Sequence, residues 1–138
     1  DRYLELLNGL NKESILPGIE NFISELKNDG YKLALASASK NAPLILKKTG
    51  LYEYFDSIAE PGSVRAKPFP DIFLKGAELL GLDTSECVGI EDSYAGIQSI
   101  NDAGIYSIGI GDAEILNAAD MNLKSTDFLT LELIKSIV

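Results

Sequence analysis

Short apolar runs alternate with helical segments along this chain, in units of about 25–30 residues. The runs that indicate strands cover residues 32–36, 57–59, 87–90 and 105–110. The first of them, Lys32–Ala36, is bounded by turn residues and is almost wholly apolar, which is typical of a strand buried on both faces. The alternation predicts a Rossmann-like α/β fold, with a parallel sheet and helices on both of its faces.

The helices are predicted from apolar spacing and from their start and stop residues. Ile19, Phe22, Ile23 and Leu26 lie on one helical face, and Gly30 stands where a helix-stopping glycine is expected. Further helices are predicted over residues 43–49, 70–80, 93–103 and 128–138, and residues 3–10 are interpreted as the end of another helix.

Composition excludes several classes of partner. The 138 residues suit one domain, and their net charge of −9 makes nucleic acid and anionic membrane surfaces poor partners. No apolar run approaches the roughly 20 residues that cross a bilayer, and no signal peptide is visible. The single cysteine, Cys87, is interpreted as a buried packing residue in a cytoplasmic protein. The first residue, Asp1, indicates a start inside a longer reading frame or after cleavage.

A small polar turn, Ser37-Ala38-Ser39-Lys40-Asn41, follows the first predicted strand and precedes a helix. Free backbone N–H groups at a helix start, small hydroxyls and a lysine together form an anion site. The same residues also fit simple helix capping by Ser39 or Asn41, and taken alone this turn favours capping.

Two adjacent carboxylates, Glu91 and Asp92, end the third predicted strand. Such a pair suits a hard divalent cation such as Mg²⁺. Capping of the next helix by Asp92 or Ser93 is the alternative, but it needs only one such residue. The second carboxylate adds a like charge that favours a counterion, so the pair indicates a metal.

Lys67 precedes a proline in the connection between the second and third predicted strands. The proline holds the lysine backbone extended, and a fixed lysine can neutralise a phosphate. A solvated surface lysine is the ordinary alternative, and Asp71 is interpreted as a charge at a helix start.

The order of these motifs resembles the β-phosphoglucomutase family of the haloacid dehalogenase-like superfamily. Residues 34–41 are similar to its serine motif, residues 67–73 to its lysine motif and residues 89–97 to its acidic motif. The resemblance runs from Tyr3 to the end of the chain.

The resemblance implies a role for each site residue. Asp92 is expected to hold Mg²⁺, with Glu91 at or beside the metal. Ser37 and Lys67 are expected to bind the transferring phosphoryl group, and the Ala38–Asn41 stretch to contact the other phosphate of a small sugar-phosphate substrate. Family members interconvert β-D-glucose 1-phosphate and glucose 6-phosphate through an aspartyl-phosphate.

The sequence departs from the family in two places. The Asp-x-Asp-Gly motif that supplies the nucleophile is absent, and residues 1–13 resemble only the last helix of the cap domain, so residues 14–138 are assigned to the core. The connection before Lys67 is one residue shorter than in the family, which affects the placement of that lysine.

The missing motif lies on the central strand of the family's sheet. Without that strand its two neighbours lose their shared partner, so the chain alone is expected not to form the normal sheet. Either another segment fills the gap or the two neighbouring strands move together.

Three functions fit these residues. They are a mutase, monomeric when complete; a sugar-phosphate phosphatase of the same superfamily; and a non-catalytic module that binds phosphate and metal. The 138-residue chain itself is expected to show no turnover, because it carries no nucleophile motif.

Overall fold

Six strands pair side by side, all in parallel, in the computed structural model, which describes residues 4–7, 17–36, 42–60 and 62–138. In chain order they are β1 (Leu4–Leu7), β2 (Lys32–Ala36), β3 (Ser57–Ala59), β4 (Cys87–Glu91), β5 (Tyr106–Ile110) and β6 (Met121–Leu123). Their order across the sheet is β3-β2-β1-β4-β5-β6. The chain therefore winds outward in both directions from the centre, and the predicted Rossmann-like class is confirmed.

Within the described residues, five α-helices connect or follow these strands. They are α1 (Pro17–Asn28), α2 (Ala42–Thr49), α3 (Asp71–Leu80), α4 (Tyr94–Asp102) and α5 (Leu131–Ile137), with single 3₁₀ turns at Tyr52–Tyr54, Thr84–Glu86 and Thr126–Phe128. The predicted helices agree with these bounds to within a few residues. Gly81 ends α3 with a φ of 70°, and its N–H donates to the carbonyls of Ala77 and Glu78, which agrees with the end of the helix predicted over residues 70–80.

Side chains that alternate along the strands separate two apolar layers. Leu33 and Leu35 of β2 belong to a buried cluster with residues of α1, α2 and α5. Ala34 and Ala36 belong to a second cluster with residues of α3 and α4. The two layers place helices on both faces of the sheet, as the near-continuous apolar character of β2 required.

Small residues bring α4 close to the sheet. A side chain at Gly89 of β4 would lie only 2.8 Å from Ile100 of α4, so this glycine allows the helix to pack directly on the strand. Only two residues separate β4 from α4, so the helix starts immediately beyond the carboxyl end of the strand.

The N-terminal prediction was wrong for Leu4–Leu7. These residues form the central strand rather than the end of a helix, with Leu6 in register with Ala34 on one side and Gly89 on the other. The expectation that the chain alone does not form the normal sheet is therefore wrong, and of the two alternatives given for the gap, the one in which another segment fills it is observed. Pairing on two sides satisfies the backbone groups of β2 and β4, and a short apolar run does not by itself distinguish strand from helix.

The predicted division into a cap remnant at residues 1–13 and a core at 14–138 stays a prediction. The sequence reasoning also missed β6, a three-residue edge strand with a polar residue at its centre, so that no apolar run marks it. No helix in the described ranges has the length and apolarity needed to span a bilayer.

Candidate active site at the carboxyl edge of the sheet

The three central strands end together. Leu7 of β1 is in register with Leu35 of β2 and with Ile90 of β4, so Ala36 and Glu91 are the next residues on either side of the central strand. Ligands of parallel α/β folds bind beyond this edge. The observed register therefore brings the end of β2 and the acidic turn after β4 to one place, as the sequence predicted.

Lys67 reaches across this edge from the connection between β3 and α3. Its ammonium group donates to the carbonyl oxygen of Ala36 and to Oε2 of Glu91, both at 3.1 Å. Its Nζ also lies 5.4 Å from the centre of the Phe73 ring. Only 10% of the Lys67 side chain is exposed, so the alternative of a solvated surface lysine is excluded.

Glu91 is the other half of a buried ion pair. Its side chain is 1% exposed, and its Oε1 accepts hydrogen bonds from the backbone N–H groups of Asp92 and Ser93, at 2.9 and 3.2 Å. The Ser93 hydroxyl donates to the same oxygen at 3.2 Å. Glu91 therefore binds both the lysine and the start of α4.

Burial shifts both ionisable partners toward their neutral forms. It lowers the pKa of Lys67, against the attraction of the Glu91 and Asp92 carboxylates. It raises the pKa of Glu91, against the attraction of the Lys67 ammonium, while the adjacent Asp92 adds to the rise. A doubly charged phosphate group entering beside Lys67 would compensate the desolvation of the lysine.

The capping alternative applies to Ser93 rather than to Asp92. Ser93 has extended backbone angles, and its Oγ accepts from the N–H of Gly96 at 3.0 Å, which makes it the N-cap of α4. Asp92 is exposed, so its carboxylate faces solvent at the edge of the sheet.

The donor atoms at this edge fit Mg²⁺. Mg²⁺ is usually held by one or two carboxylates, with water and substrate phosphate completing its octahedron. Asp92 offers an exposed carboxylate, and Glu91 stands beside it with its oxygens already hydrogen-bonded. No group of three or more carboxylate or thiol side chains that could hold a metal occurs among the described residues. The ion would therefore be held mainly by Asp92, with Glu91 next to it.

The residues Ser37, Ala38, Ser39, Lys40 and Asn41 lie outside the described ranges, and their roles stay predictions. Among the residues that are described, Lys67, Glu91 and Asp92 come together. The shorter connection before Lys67 does not prevent the lysine from reaching Glu91.

Three further residues near the site were missed by the sequence reasoning. Gly96 is one, because a Cβ there would lie 2.0 Å from the Glu91 side chain. Ser99 is another, since its buried hydroxyl donates to the Phe69 carbonyl at 2.6 Å. Arg65 is the third; it makes two hydrogen bonds to Asp71 and lies 4.3 Å from the Phe69 ring. The small residues at 96 and 99, three apart in α4, were the available signal.

Two other side chains have the roles that the sequence predicted. Asp71 is the first residue of α3, as expected of a charge at a helix start. Cys87 is 1% exposed, and burial raises the pKa of its thiol to about 12, so it is a packing residue.

A cavity of about 200 Å³ lies on another face of α4. It is lined by residues of that helix, including Tyr94 and Asn101, and by Ile115 and Leu116. It contains none of Lys67, Glu91 and Asp92, so it is separate from the polar cluster.

The parallel sheet wound from its centre, with a lysine and two carboxylates at its carboxyl edge, defines an α/β protein of the Rossmann-like type. Residues 1–104 match the family model of the haloacid dehalogenase-like hydrolases. The chain belongs to this family.

Similar proteins include both mutases and phosphatases. A β-phosphoglucomutase from Bacillus subtilis is 40% identical over 133 residues, which are 96% of this chain and 59% of the relative. Hexitol phosphatase A from Escherichia coli is 34% identical over 136 residues, covering 93% of this chain and 62% of that protein. The crystal structure of a β-phosphoglucomutase from Clostridium difficile superposes with a TM-score of 0.86 at 41% identity, covering 92% of this chain and 57% of that one. The chain thus spans about three fifths of the length of these relatives.

Proposed function

We propose that this chain is the core of a Mg²⁺-dependent phosphoryl-transfer enzyme, a β-phosphoglucomutase that interconverts β-D-glucose 1-phosphate and glucose 6-phosphate. The observation that carries the proposal is the buried Lys67, held between Ala36 and Glu91 at the carboxyl edge of the sheet. The similarity to two β-phosphoglucomutases over more than nine tenths of the chain supports the choice of substrate.

Lys67 would neutralise the charge of the transferring phosphoryl group. Phosphoryl transfer needs positioning and charge stabilisation more than covalent help from the protein, and a lysine in a water-poor site supplies both. Glu91 holds the ammonium group in place, so its position is set before the substrate arrives. The Ser37–Asn41 turn would bind the phosphoryl group and the second phosphate of the sugar bisphosphate.

Asp92 would hold Mg²⁺, with Glu91 beside it. When bound, the ion supplies a compact positive charge that offsets the charge of the phosphate oxygens. Glu91, by accepting the first N–H groups of the acidic turn, keeps the Asp92 backbone at the edge of the sheet where such an ion would lie.

The nucleophile is the part that these 138 residues do not supply. The Asp-x-Asp-Gly motif that the family uses is absent from the sequence, and Leu4–Leu7 stands at the centre of the sheet. We therefore expect the chain to bind phosphate and Mg²⁺ weakly and to show no turnover.

Titration of the ¹⁵N-labelled chain with β-D-glucose 1-phosphate, with and without Mg²⁺, tests the proposal by NMR. We expect Mg²⁺-dependent shifts in the amides of residues 66–67 and 91–93 and much weaker binding by Lys67→Met. Lys75→Met is the matched control, because Lys75 pairs with the exposed carboxylate of Glu78 within the same helix. Shifts confined to other parts of the chain would contradict the site.

A sugar-phosphate phosphatase is the second candidate, supported by the 34% identity to hexitol phosphatase A. Competition between β-D-glucose 1-phosphate and a hexitol phosphate separates the two, because the mutase proposal requires tighter binding of the glucose ester. ³¹P NMR of the same samples monitors products. Formation of glucose 6-phosphate by the verified 138-residue chain would disprove the expected lack of turnover, and release of phosphate alone would favour the phosphatase.

A further inference from the structure

The turn that carries Lys67 is anchored at one backbone carbonyl. Within the turn, the N–H of Phe69 donates to the carbonyl of Ala66 at 3.1 Å, which closes the loop on itself around Lys67. The carbonyl of Phe69 then accepts the Ser99 hydroxyl at 2.6 Å. Both polar groups of the Phe69 backbone are therefore fixed, one inside the turn and one by α4.

Ser99 is fully buried, with 0% of its surface exposed. A buried hydroxyl must find a partner, so satisfying its own hydrogen-bonding needs would be a sufficient structural role. Its partner, however, lies 30 residues away in sequence and two residues after Lys67. The bond therefore joins two separate parts of the chain that both contribute to the site.

Helix α4 is the common support of the two halves of the ion pair. Glu91 accepts the N–H groups of Asp92 and Ser93, which lead into the helix, and Ser93 caps it. Ser99 lies in the same helix and holds the turn of Lys67. Glu91 and Lys67 are thus both held by contacts with one rigid helix, and this fixes the distance between them.

A second contact of the Lys67 turn, made by Arg65, does not attach the turn to α4. Arg65 pairs with Asp71 at 2.9 Å, but Asp71 is the first residue of α3. Arg65 is exposed, and an exposed pair of this kind contributes little. This pair stiffens the loop without tying it to β4 or α4.

We propose that Ser99 is a positioning residue, which sets the place of the Lys67 ammonium group through the Phe69 carbonyl. The expected effect of Ser99 on phosphate binding rests on the function proposed above, whereas its expected effect on the position of Lys67 does not. Removal of the hydroxyl releases the turn from α4 and leaves the Phe69 carbonyl without its buried donor.

The test compares three variants in the full 138-residue chain: Ser99→Ala, Ser99→Thr and Ser107→Ala. Ser107 is an equally buried serine, but its hydroxyl bonds to Asn101 and Asp120, away from Lys67. Ser99→Thr keeps the hydroxyl. For each variant the affinity for inorganic phosphate is measured by NMR titration and the stability by urea unfolding.

We expect Ser99→Ala to weaken phosphate binding about fivefold, the effect of one lost hydrogen bond, and Ser99→Thr to restore at least part of it. Ser107→Ala should lower the urea midpoint comparably without changing phosphate affinity. Equal weakening in Ser99→Ala and Ser107→Ala, or none in Ser99→Ala, would overturn the inference.

A crystal structure of Ser99→Ala decides the matter independently of phosphate. We expect the Lys67 Nζ to leave hydrogen-bond distance of Ala36 or Glu91. Retention of both 3.1 Å contacts would overturn the positioning role. A wild-type chain that binds no phosphate would instead count against the proposed function, and the crystal structure would still judge Ser99.

Discussion

At the scale of single residues, the site depends on a buried ion pair whose partners each lose water. Such a pair is weak evidence of stability, but removing one partner leaves the other charge buried without its counterion. Lys67 and Glu91 are in this position, with side-chain exposures of 10% and 1%. The pair is therefore better understood as a device that holds a lysine in place than as a source of folding energy.

Lys67→Met should lower the free energy of unfolding by about 3 kcal/mol at pH 7, because Glu91 loses its counterion. Burial already raises the pKa of Glu91, and loss of the lysine raises it further. A neutral carboxyl is more stable than a charged one when buried. In the variant, the stability that comes from the raised pKa of Glu91 is therefore present at low pH and is lost as the pH rises through the pKa of Glu91 in the folded chain. Urea unfolding at pH 5 and pH 7 checks this.

The deficit of Lys67→Met relative to wild type should thus be smaller at pH 5 than at pH 7. Adding Glu91→Gln should recover part of the loss at pH 7. Lys75→Met, with an exposed pair, should change stability by less than about 0.5 kcal/mol. A deficit independent of pH would show that the pair is not the cause.

Gly96→Ala should disturb the site through Glu91. The new Cβ would lie 2.0–2.2 Å from atoms of the Glu91 side chain, so this side chain must shift, and its contact with Lys67 is disturbed. We expect a loss of about 1–3 kcal/mol, typical of overpacking, together with weaker phosphate binding. Gly81→Ala is the control, because alanine is strained at its φ of 70° while its Cβ would not touch Glu91. It should lower stability while leaving phosphate affinity unchanged, as measured by urea unfolding and NMR titration.

Cys87 should be unreactive in the folded chain. Burial raises the pKa of its thiol from 9.0 to about 12, so thiolate is scarce at pH 8. A thiol reagent should react much faster with the urea-unfolded chain.

The raised pKa of Cys87 also stabilises the fold below about pH 9, and this contribution is lost as pH rises toward 12. Between about pH 9 and 12, Cys87→Ala should therefore lose less stability than the wild-type chain. Equal pH dependence in the two chains would contradict the raised pKa of Cys87.

At the scale of elements, α4 carries more of the site than any other helix in the described ranges. It begins directly after the acidic turn, and Ser93 both caps it and donates to Glu91. Its interior contributes Gly96 beside Glu91 and Ser99 beneath the lysine turn. One short helix thus links the carboxylates to the lysine.

Ser93→Ala should cost about 1 kcal/mol, the usual effect of losing an N-cap. Thr130 is the matched control, because it caps α5 by accepting from the N–H of Leu133 at 3.1 Å. Thr130→Ala should cost a similar amount in urea unfolding. Only Ser93→Ala should also weaken phosphate binding, since only Ser93 contacts Glu91; the same change in both variants would exclude a specific role for Ser93.

At the scale of the whole molecule, the sheet depends on β1, the shortest of its three central strands. β1 has four residues, yet it pairs with both β2 and β4 and so connects the two halves of the fold. Without it, two buried strands would each present an unpaired edge.

Leu6→Pro should therefore be strongly destabilising, by about 3 kcal/mol or more, because proline removes a ladder hydrogen bond in a central strand. Asn122→Pro in β6 is the comparison, since β6 lies at the edge of the described sheet and pairs there with β5. It should cost clearly less, because proline is better tolerated at an edge. Urea unfolding followed by circular dichroism measures both, and equal losses would argue against a central place for Leu4–Leu7.

Much of this protein follows from local patterns in its sequence. The strands at 32–36, 57–59 and 87–90, the five later helices and the α/β class are determined by apolar runs and stop residues that act over short distances. The same patterns placed Lys67, Glu91 and Asp92 after strand ends, where the topology of parallel sheets brings such residues together.

Only the tertiary structure decided the rest, because the remaining features depend on partners that are distant in sequence. Leu4–Leu7 is a strand because two other strands need it between them. Lys67 is buried because Glu91 lies opposite, and Ser99 matters because the Phe69 carbonyl happens to face it. A short apolar run, a lysine and a serine have many possible environments, and packing selects one of them.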